Sequence, residues 1–426
     1  MQREPPSDSL QVIMRLCIHR GSSQIGGSCI EVEAEGVRLL LDLGLPLDAG
    51  EADPRLLPDI KGLRDDDPSL LGIILSHCHR DHWGLIPLTA NVPLFLGAAT
   101  ERIMRAASDF VPGGFAPVAS GHLLDGKALS IGPFNVTPYL VDHSGYDAYA
   151  LLIEAGGKRL FYSGDLRSHG RKGALFERLV RRPPQKIDVM LMEGSTLGRI
   201  DESAVFATES EIEEQLVNEF RSADGIVLVS ASAQNVDRIV SIYRATKRTG
   251  RTLLVDLYAA EVLHATGNPN IPQSFWPHVA FFTPAIQRVH IVKNSLFEEL
   301  DRHKANRIFP EQLARRAAEM VMLFRPHMLA DLERANCLAN ARAIWSQWDG
   351  YLENGQGSAL RKKFEAQGIP MKVVHTSGHA SIPDLKRLAI ALNPKMIVPI
   401  HTFHGARFPE LFENVVVQED GNWWQA

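Results

Sequence analysis

Cysteine is scarce in this chain of 426 residues: there are four, Cys17, Cys29, Cys78 and Cys337, widely scattered and without a Cys-x-x-Cys pair. That spacing argues against a disulfide framework and against a thiolate zinc knuckle. No uninterrupted apolar run is long enough to cross a bilayer, and the N-terminus lacks the basic-then-apolar order of a secretion signal. A cytoplasmic protein with no membrane partner is therefore expected. Excess positive charge is missing too: a net charge of −5 gives no global case for nucleic-acid binding. Positive charge is concentrated locally, with Arg167, Arg171, Lys172, Arg178, Arg181, Arg182 and Lys186 in one segment. This patch reads equally as a phosphate-binding surface or as a solvated helix face, since Arg178, Arg181 and Arg182 fall at helical spacing. Internal repeats and low-complexity runs are absent, and disorder is expected only over the polar residues 1–10.

What is present is a dense group of metal-binding side chains. His77, Cys78, His79, Arg80, Asp81 and His82 follow the apolar run 71–76, placing three imidazoles and one carboxylate in six positions. Imidazole and carboxylate are ligands for borderline metals such as zinc and manganese. His77 and His79, two apart, share one side of an extended segment and can bite one ion, with Cys78 on the opposite side. Asp81 and His82 come after the strand has turned into a loop and are free to reach a second ion. A lone histidine here would read as an ordinary polar residue at a helix start, with Asp81 as a cap; the density of donors outweighs that reading.

Apolar strands separated by Gly and Pro turns are expected over 12–18, 29–32, 37–41, 72–75, 92–96, 149–153, 159–162 and 188–192. Helices over 100–107 and 174–181 make the class mixed α/β. From residue 196 the pattern changes to helix 209–221, strand 226–229, helix 235–248, strand 252–257 and helix 259–265, the order of a parallel doubly wound unit. Helical stretches are expected over 310–323 and 328–346, then strand 371–375, helix 382–391 and strand 396–399. The simplest organisation is an insertion: residues 196–369 form a second domain inside the first, which comprises 1–195 and 370–426.

Two ions need further donors at the ends of later strands, and three occur there. His143 follows Leu-Val-Asp at 140–142, Asp165 follows Leu-Phe-Tyr-Ser-Gly at 160–164, and His401 follows Met-Ile-Val-Pro-Ile at 396–400. Gly164 would let the backbone approach a metal.

This series resembles the motifs of the metallo-β-lactamase fold hydrolases, which implies an αββα sandwich. The resemblance also implies roles: His77, His79 and His143 on one ion, Asp81, His82 and His401 on the other, Asp165 bridging, and Asp42 orienting ligating histidines without binding metal. Two zinc ions are implied, with manganese as the alternative. Such a pair, about 3.5 to 4 Å apart, lowers the pKa of a shared water and stabilises charge on the attacked centre. Hydrolysis of esters, amides, thioesters and phosphodiesters is equally within its reach.

The insertion narrows the choice. Glu193 ends the strand where it begins, and residues 375–381, His-Thr-Ser-Gly-His-Ala-Ser, stand where it ends. With His401 these resemble the three extra motifs of the β-CASP branch of the fold, which processes nucleic acids and includes RNase J. Residues 227–230, Val-Leu-Val-Ser, followed by 234–238, Gln-Asn-Val-Asp-Arg, resemble the opening of the β-CASP insert. The resemblance implies a nuclease, with RNA ahead of DNA. His379 paired with Glu193 is the candidate for protonating the leaving alkoxide, because a carboxylate partner raises an imidazole pKa. His375 and Ser377, with Ser230 and Ser232 after an earlier strand, are candidate donors to a substrate phosphate.

There are departures. Thr402, Phe403 and His404 stand where RNase J has a glycine and an acid, and His404 could compete with His401; strand position favours His401. The chain stops at Ala426, without the extension through which RNase J dimerises, so a homodimer is left open and so is 5′ exonuclease action as against endonuclease action. Trp345 and Trp348 are expected to be core, and Trp423 and Trp424 to tuck the terminus against a core. His122, His264, His278, His290, His303 and His327 are expected to be surface or satisfied core histidines. Two rival readings remain: a two-metal hydrolase of small esters, lactones or thioesters, and a nucleic-acid-binding or regulatory protein whose metal site has decayed.

Overall fold

The computed structural model describes residues 14–353 and 355–426. The polar segment 1–10 and the first two residues of the strand expected at 12–18 lie outside the described residues.

Two mixed sheets face each other. The first runs in the order Trp423–Gln425, Arg15–Arg20, Cys29–Ala34, Val37–Leu41, Leu70–Ile74, Leu94–Gly97, Gly121–Leu123. The second runs Met396–Ile400, Val189–Glu193, Lys158–Tyr162, Ala148–Ala155, Phe134–Val141, Leu129–Ile131. Alternation along the strands turns Leu16, Ile18, Val32, Leu39 and Ile74 of one sheet toward Val136, Leu151, Ile153, Leu191 and Val398 of the other. The outer faces are covered as well. Helices Gly173–Arg181 and Ile382–Leu392 lay Phe176, Leu179, Leu385 and Leu388 on the second sheet, and Trp83, Leu85 and Met104 pack outside the first. The result is an αββα sandwich.

A third sheet is wholly parallel, in the order Val279–Phe281, Thr252–Val255, Met320–Leu323, Val227–Ser230, Arg342–Trp345, Met371–Val373. Apolar clusters cover both of its faces, as a parallel sheet requires. All of its strands fall in the connection between Val189–Glu193 and Met396–Ile400, and those two strands pair with each other from Val189↔Met396 to Glu193↔Ile400. The chain thus leaves the second sheet after Glu193 and returns beside it. Helix Ala98–Ser108 packs against helix Leu257–Ala265 of the inserted unit, with Arg102 donating to the Ala265 and Thr266 carbonyls at 2.8 and 3.0 Å.

Several expectations need correction. Residues 320–323 and 342–345 are strands, where helices were expected. Both are short apolar runs buried on both faces, which periodicity cannot tell from a buried helix. Strand Met371–Val373 pairs with Arg342–Trp345, so the third sheet continues past residue 369. The eight-residue strand Phe134–Val141, which carries Pro138, was not foreseen. Trp424 packs on the first core and Trp423–Gln425 pairs with Arg15–Arg20, which tucks the terminus as expected.

Candidate metal centre

The strand Leu70–Ile74 leads through buried Leu75, Ser76 and His77 into a short helix, Arg80–Trp83, which carries Asp81 and His82 where a loop was expected. His77 Nε2 lies 3.1 Å from His79 Nδ1, and His143 Nε2 also lies 3.1 Å from His79 Nδ1. A second group joins Asp81, His82 and His401, with His401 Nε2 3.8 Å from Asp81 Oδ2. Asp165 Oδ2 stands between the groups, 3.7 Å from His77 Nε2, 3.2 Å from His82 Nε2 and 3.7 Å from His401 Nε2. Within each group the ligand atoms lie within 4.8 Å of one another.

The donor set fits cations. His82 Nε2, His401 Nε2 and Asp165 Oδ1 are buried and have no hydrogen-bond partner, a costly state for polar atoms unless a metal engages them. The outward nitrogens are spoken for. His82 Nδ1 meets Asp42 Oδ2 at 2.7 Å, His143 Nδ1 meets the Gly378 carbonyl at 2.6 Å, His401 Nδ1 meets Ser28 Oγ at 2.9 Å, and His77 Nδ1 meets Ser76 Oγ at 3.0 Å. Donation from Nδ1 of His143 to a carbonyl leaves its Nε2 lone pair facing the centre. Asp42 is held by the Ser76 amide and hydroxyl at 2.7 and 2.8 Å and by the Tyr162 hydroxyl at 2.5 Å.

Protonation states favour ligation at most of the donors; His82 is the exception, because although burial would lower it, Asp165, Asp42 and Asp81 outweigh burial and hold it well above the ordinary histidine value. Burial and neighbouring histidines hold His77 and His143 well below the ordinary histidine value, and burial lowers His79 to about 4. Burial would raise Asp165, but His401 and His82 overcome it and hold the carboxyl well below the usual range. Asp42 and His401 adopt φ of 59° and 51°, left-handed conformations that non-glycine residues take at some energetic cost. Gly164, at φ 52°, turns the chain into Asp165 where a Cβ would stand 2.9 Å from the Tyr149 carbonyl.

Glu193 and His379 meet beside this cluster, with His379 Nδ1 3.1 Å from Glu193 Oε2. Glu193 is fixed by the Leu166 amide at 3.0 Å and the Ser195 hydroxyl at 2.8 Å. Burial lowers the His379 imidazole, but Glu193 and Asp165 outweigh it and raise it to about 9. A quarter of the side chain, 26%, is open to solvent. His404 joins none of the ligand groups; its ring lies against Gly198.

The candidate phosphate donors divide. Ser377 Oγ accepts the His379 amide at 3.0 Å, beside the cluster. Ser230 ends the strand Val227–Ser230 and His375 follows the strand Met371–Val373, two strands of the third sheet separated by Arg342–Trp345, at the end of a parallel sheet where ligands collect. Arg238 donates to His375 Nδ1 at 3.3 Å, which leaves the His375 proton on Nε2. Ser232 is exposed, and its hydroxyl accepts the Gln234 amide at 3.2 Å.

The basic patch divides: Arg178 and Arg181 are exposed on helix Gly173–Arg181 and Arg182 is exposed at its end, the solvated face expected, whereas Arg167 and Arg171 turn inward. Arg167 is fully buried and joins the two domains, bonding Asp142 at 3.2 Å, Asp237 at 2.8 Å and the Ser377 carbonyl at 3.0 Å. Arg171 pairs with Glu213 at 2.6 Å, and Arg178 with Asp125 at 2.7 Å. Arg238, also fully buried, bonds Glu209 at 2.9 Å and Ser346 Oγ at 2.6 Å. Burial pushes Asp142 up to about 6, although Arg167 faces it. Sequence reasoning missed Asp142, Glu209 and Ser346 and gave Arg238 no role. The available signals were the position of Asp142 directly before His143 and of Arg238 within the motif 234–238.

Residues 38–205 match the model of the beta-lactamase superfamily domain. A solved protein of unknown function from Enterococcus faecalis superposes with a TM-score of 0.78 at 20% identity, over 97% of this chain and all of that one. The chain therefore has a metallo-β-lactamase fold, whose members bind divalent metals. Among curated proteins it is 29% identical to Ribonuclease J of Mycobacterium tuberculosis over 266 residues, 58% of this chain and 45% of that protein. It is 22% identical to Ribonuclease J of Helicobacter pylori over 94% of this chain and 59% of that protein. Identity to an RNase J-like protein of Methanocaldococcus jannaschii is also 22%, over 70% of this chain and 69% of that one. In sequence the chain is similar to the Ribonuclease J proteins, and it spans about half the length of the first curated relatives it matches.

Proposed function

We propose that this chain is a metal-dependent nuclease of the β-CASP type that hydrolyses phosphodiester bonds, in RNA before DNA, where the two domains meet. The observation that carries this reading is the double ligand set sharing Asp165, with the Glu193–His379 pair directly beside it. Two zinc or manganese ions, held by His77, His79 and His143 and by Asp81, His82 and His401 with Asp165 between, would supply Lewis acidity and a water of lowered pKa.

The remaining work falls to the chain itself. Glu193 accepts the Nδ1 hydrogen bond of His379, which leaves Nε2–H as the end that donates to a leaving alkoxide. Arg167, bonded to the Ser377 carbonyl, steadies the loop that carries His379. His375 and Ser377 are suited to receive phosphate oxygens as neutral donors. Glu193 and the inserted domain weigh against a small-ester hydrolase, which needs neither, and the full donor set weighs against a decayed site. A cytoplasmic location belongs to the same proposal.

The test is incubation with 5′-monophosphorylated, 5′-triphosphorylated and circular RNA and DNA, with zinc or manganese, beside His379→Ala and Asp165→Ala. Cleavage of RNA lost in both variants supports the reading. Cleaved circles identify endonuclease action, and dependence on a free 5′-monophosphate identifies exonuclease action. Activity confined to a chromogenic ester would sink the proposal.

A further inference from the structure

Past the strand Arg342–Trp345 the chain presents an aromatic pair that the nuclease chemistry leaves unused. Trp345 is buried and its Nε1–H donates to the Trp348 carbonyl at 3.1 Å. Trp348, expected in the core, is 47% exposed, and Tyr351 is 57% exposed. Their rings meet edge to face with centroids 5.2 Å apart. The Arg199 guanidinium lies 5.0 Å from the centre of the Trp348 ring. Gly350 sits so close beneath that a Cβ there would meet three ring atoms at 2.4, 2.4 and 2.7 Å. Leaving two large aromatics in water forgoes the burial that usually holds such residues. Here a hydrogen bond, a cation, a second ring and a glycine seat fix them in place instead.

Their position matters as much as their rigidity. Arg199 donates to the Ser195 carbonyl at 3.4 Å, and Ser195 Oγ bonds Glu193 at 2.8 Å and the His401 carbonyl at 3.3 Å. The aromatic pair, carried by the inserted domain, is therefore linked through Arg199 to the proton-donor pair and to a candidate metal ligand. Partial desolvation and, after it, the Asp81 carboxylate push the Tyr351 hydroxyl up, against the Arg199 guanidinium.

We propose that Trp348 and Tyr351, braced by Arg199, stack one unpaired nucleobase beside the scissile phosphate. The inference rests on the nuclease reading above and narrows it to single-stranded substrate. Every nucleobase offers a π face, so such a platform tolerates any sequence, but pairing within a duplex hides that face. The guanidinium adds a positive charge suited to the neighbouring phosphate.

The test uses the metal-loaded full chain and a single-stranded oligonucleotide in which one abasic sugar is walked along the strand. One position relative to the cut is expected to raise KM about 5- to 100-fold, with kcat changed far less. Trp348→Ala with Tyr351→Ala should raise KM by a similar factor for the intact strand and add nothing further when the abasic sugar occupies that position. Trp348→Phe should recover part of the loss. An intact strand that is cleaved with KM flat along the abasic scan would overturn the platform and leave the nuclease standing. So would an unchanged positional penalty in the double variant. Failure of the wild type to cleave any oligonucleotide would overturn the nuclease reading itself, and this inference with it.

Discussion

The molecule buries charge in two places and treats it in opposite ways. In the ligand cluster His82, His401 and Asp165 keep buried atoms that no protein group satisfies. At the junction of the domains Arg167 and Arg238, both 0% exposed, have a partner for every guanidinium nitrogen. The first set leaves donor atoms that cations would engage; in the second every guanidinium nitrogen is met, and the atom left over is a carboxylate oxygen, Asp142 Oδ2. The difference separates a site built to bind from a site built to hold two domains in one orientation.

The largest effect should come from Asp165→Asn, which removes the carboxylate shared by both ligand groups. Bound metal is expected to fall from about two ions per chain to one or fewer, and cleavage by about a thousandfold or more. Elemental analysis and an oligonucleotide assay read both, and a variant that keeps its metal would erase the contrast drawn above. Glu209→Ala tests the other region by stranding Arg238 in the interior. Urea unfolding should show a loss of about 3–5 kcal/mol with metal content unchanged, and Glu209→Met combined with Arg238→Met should recover most of it.

Acid should weaken the junction in a defined window. Burial and Arg238 hold His375 down to about 3, against an ordinary value of 6.5. The unfolded chain therefore takes up a proton as pH falls through 6.5 while the folded chain does not, and stability drops. Between about pH 7 and pH 5 the loss is about 2 kcal/mol, and His375→Phe should remove that slope. Burial would raise Glu209, but Arg238 outweighs it and holds the carboxyl at about 2, against an ordinary 4.5. Its contribution is present above 4.5 and fades only as pH falls from there toward 2. Urea midpoints across the range check both signs. The smallest effect is expected from Tyr162→Phe, which removes one donor from Asp42 behind His82. Metal affinity should weaken about tenfold and stability by about 1 kcal/mol, with cleavage restored at higher metal concentration.

Candidate ligands were legible because most stand within a few residues of the end of an apolar strand, where local order alone places a side chain at a sheet end. His77, His143, Asp165 and His401 follow that rule and Glu193 ends its own strand, whereas Asp81 and His82 stand on the short helix Arg80–Trp83 beyond it. Residues 320–323 and 342–345 were misread because a short apolar run buried on both faces has the same composition in a helix or a strand. Within the basic segment Arg167 was misread for a different reason. Nothing near Arg167 in sequence announces Asp237, its partner 70 residues away, so a cation that folding buries looks the same as one that water solvates.

By itself the sequence determined the chemical inventory: mixed α/β class, a doubly wound unit within the chain, and seven imidazole and carboxylate donors in the segments that follow successive strands. Local pattern suffices for these, because strand periodicity and side-chain chemistry travel with the residues. Only the tertiary structure decided which nitrogen of each histidine faces inward, which arginines disappear into the domain junction, and that Trp348 stands in the open while Trp345 does not. Each of those depends on contacts between segments far apart in the chain, and the energy of a buried charge or ring is set by the neighbours that folding brings to it.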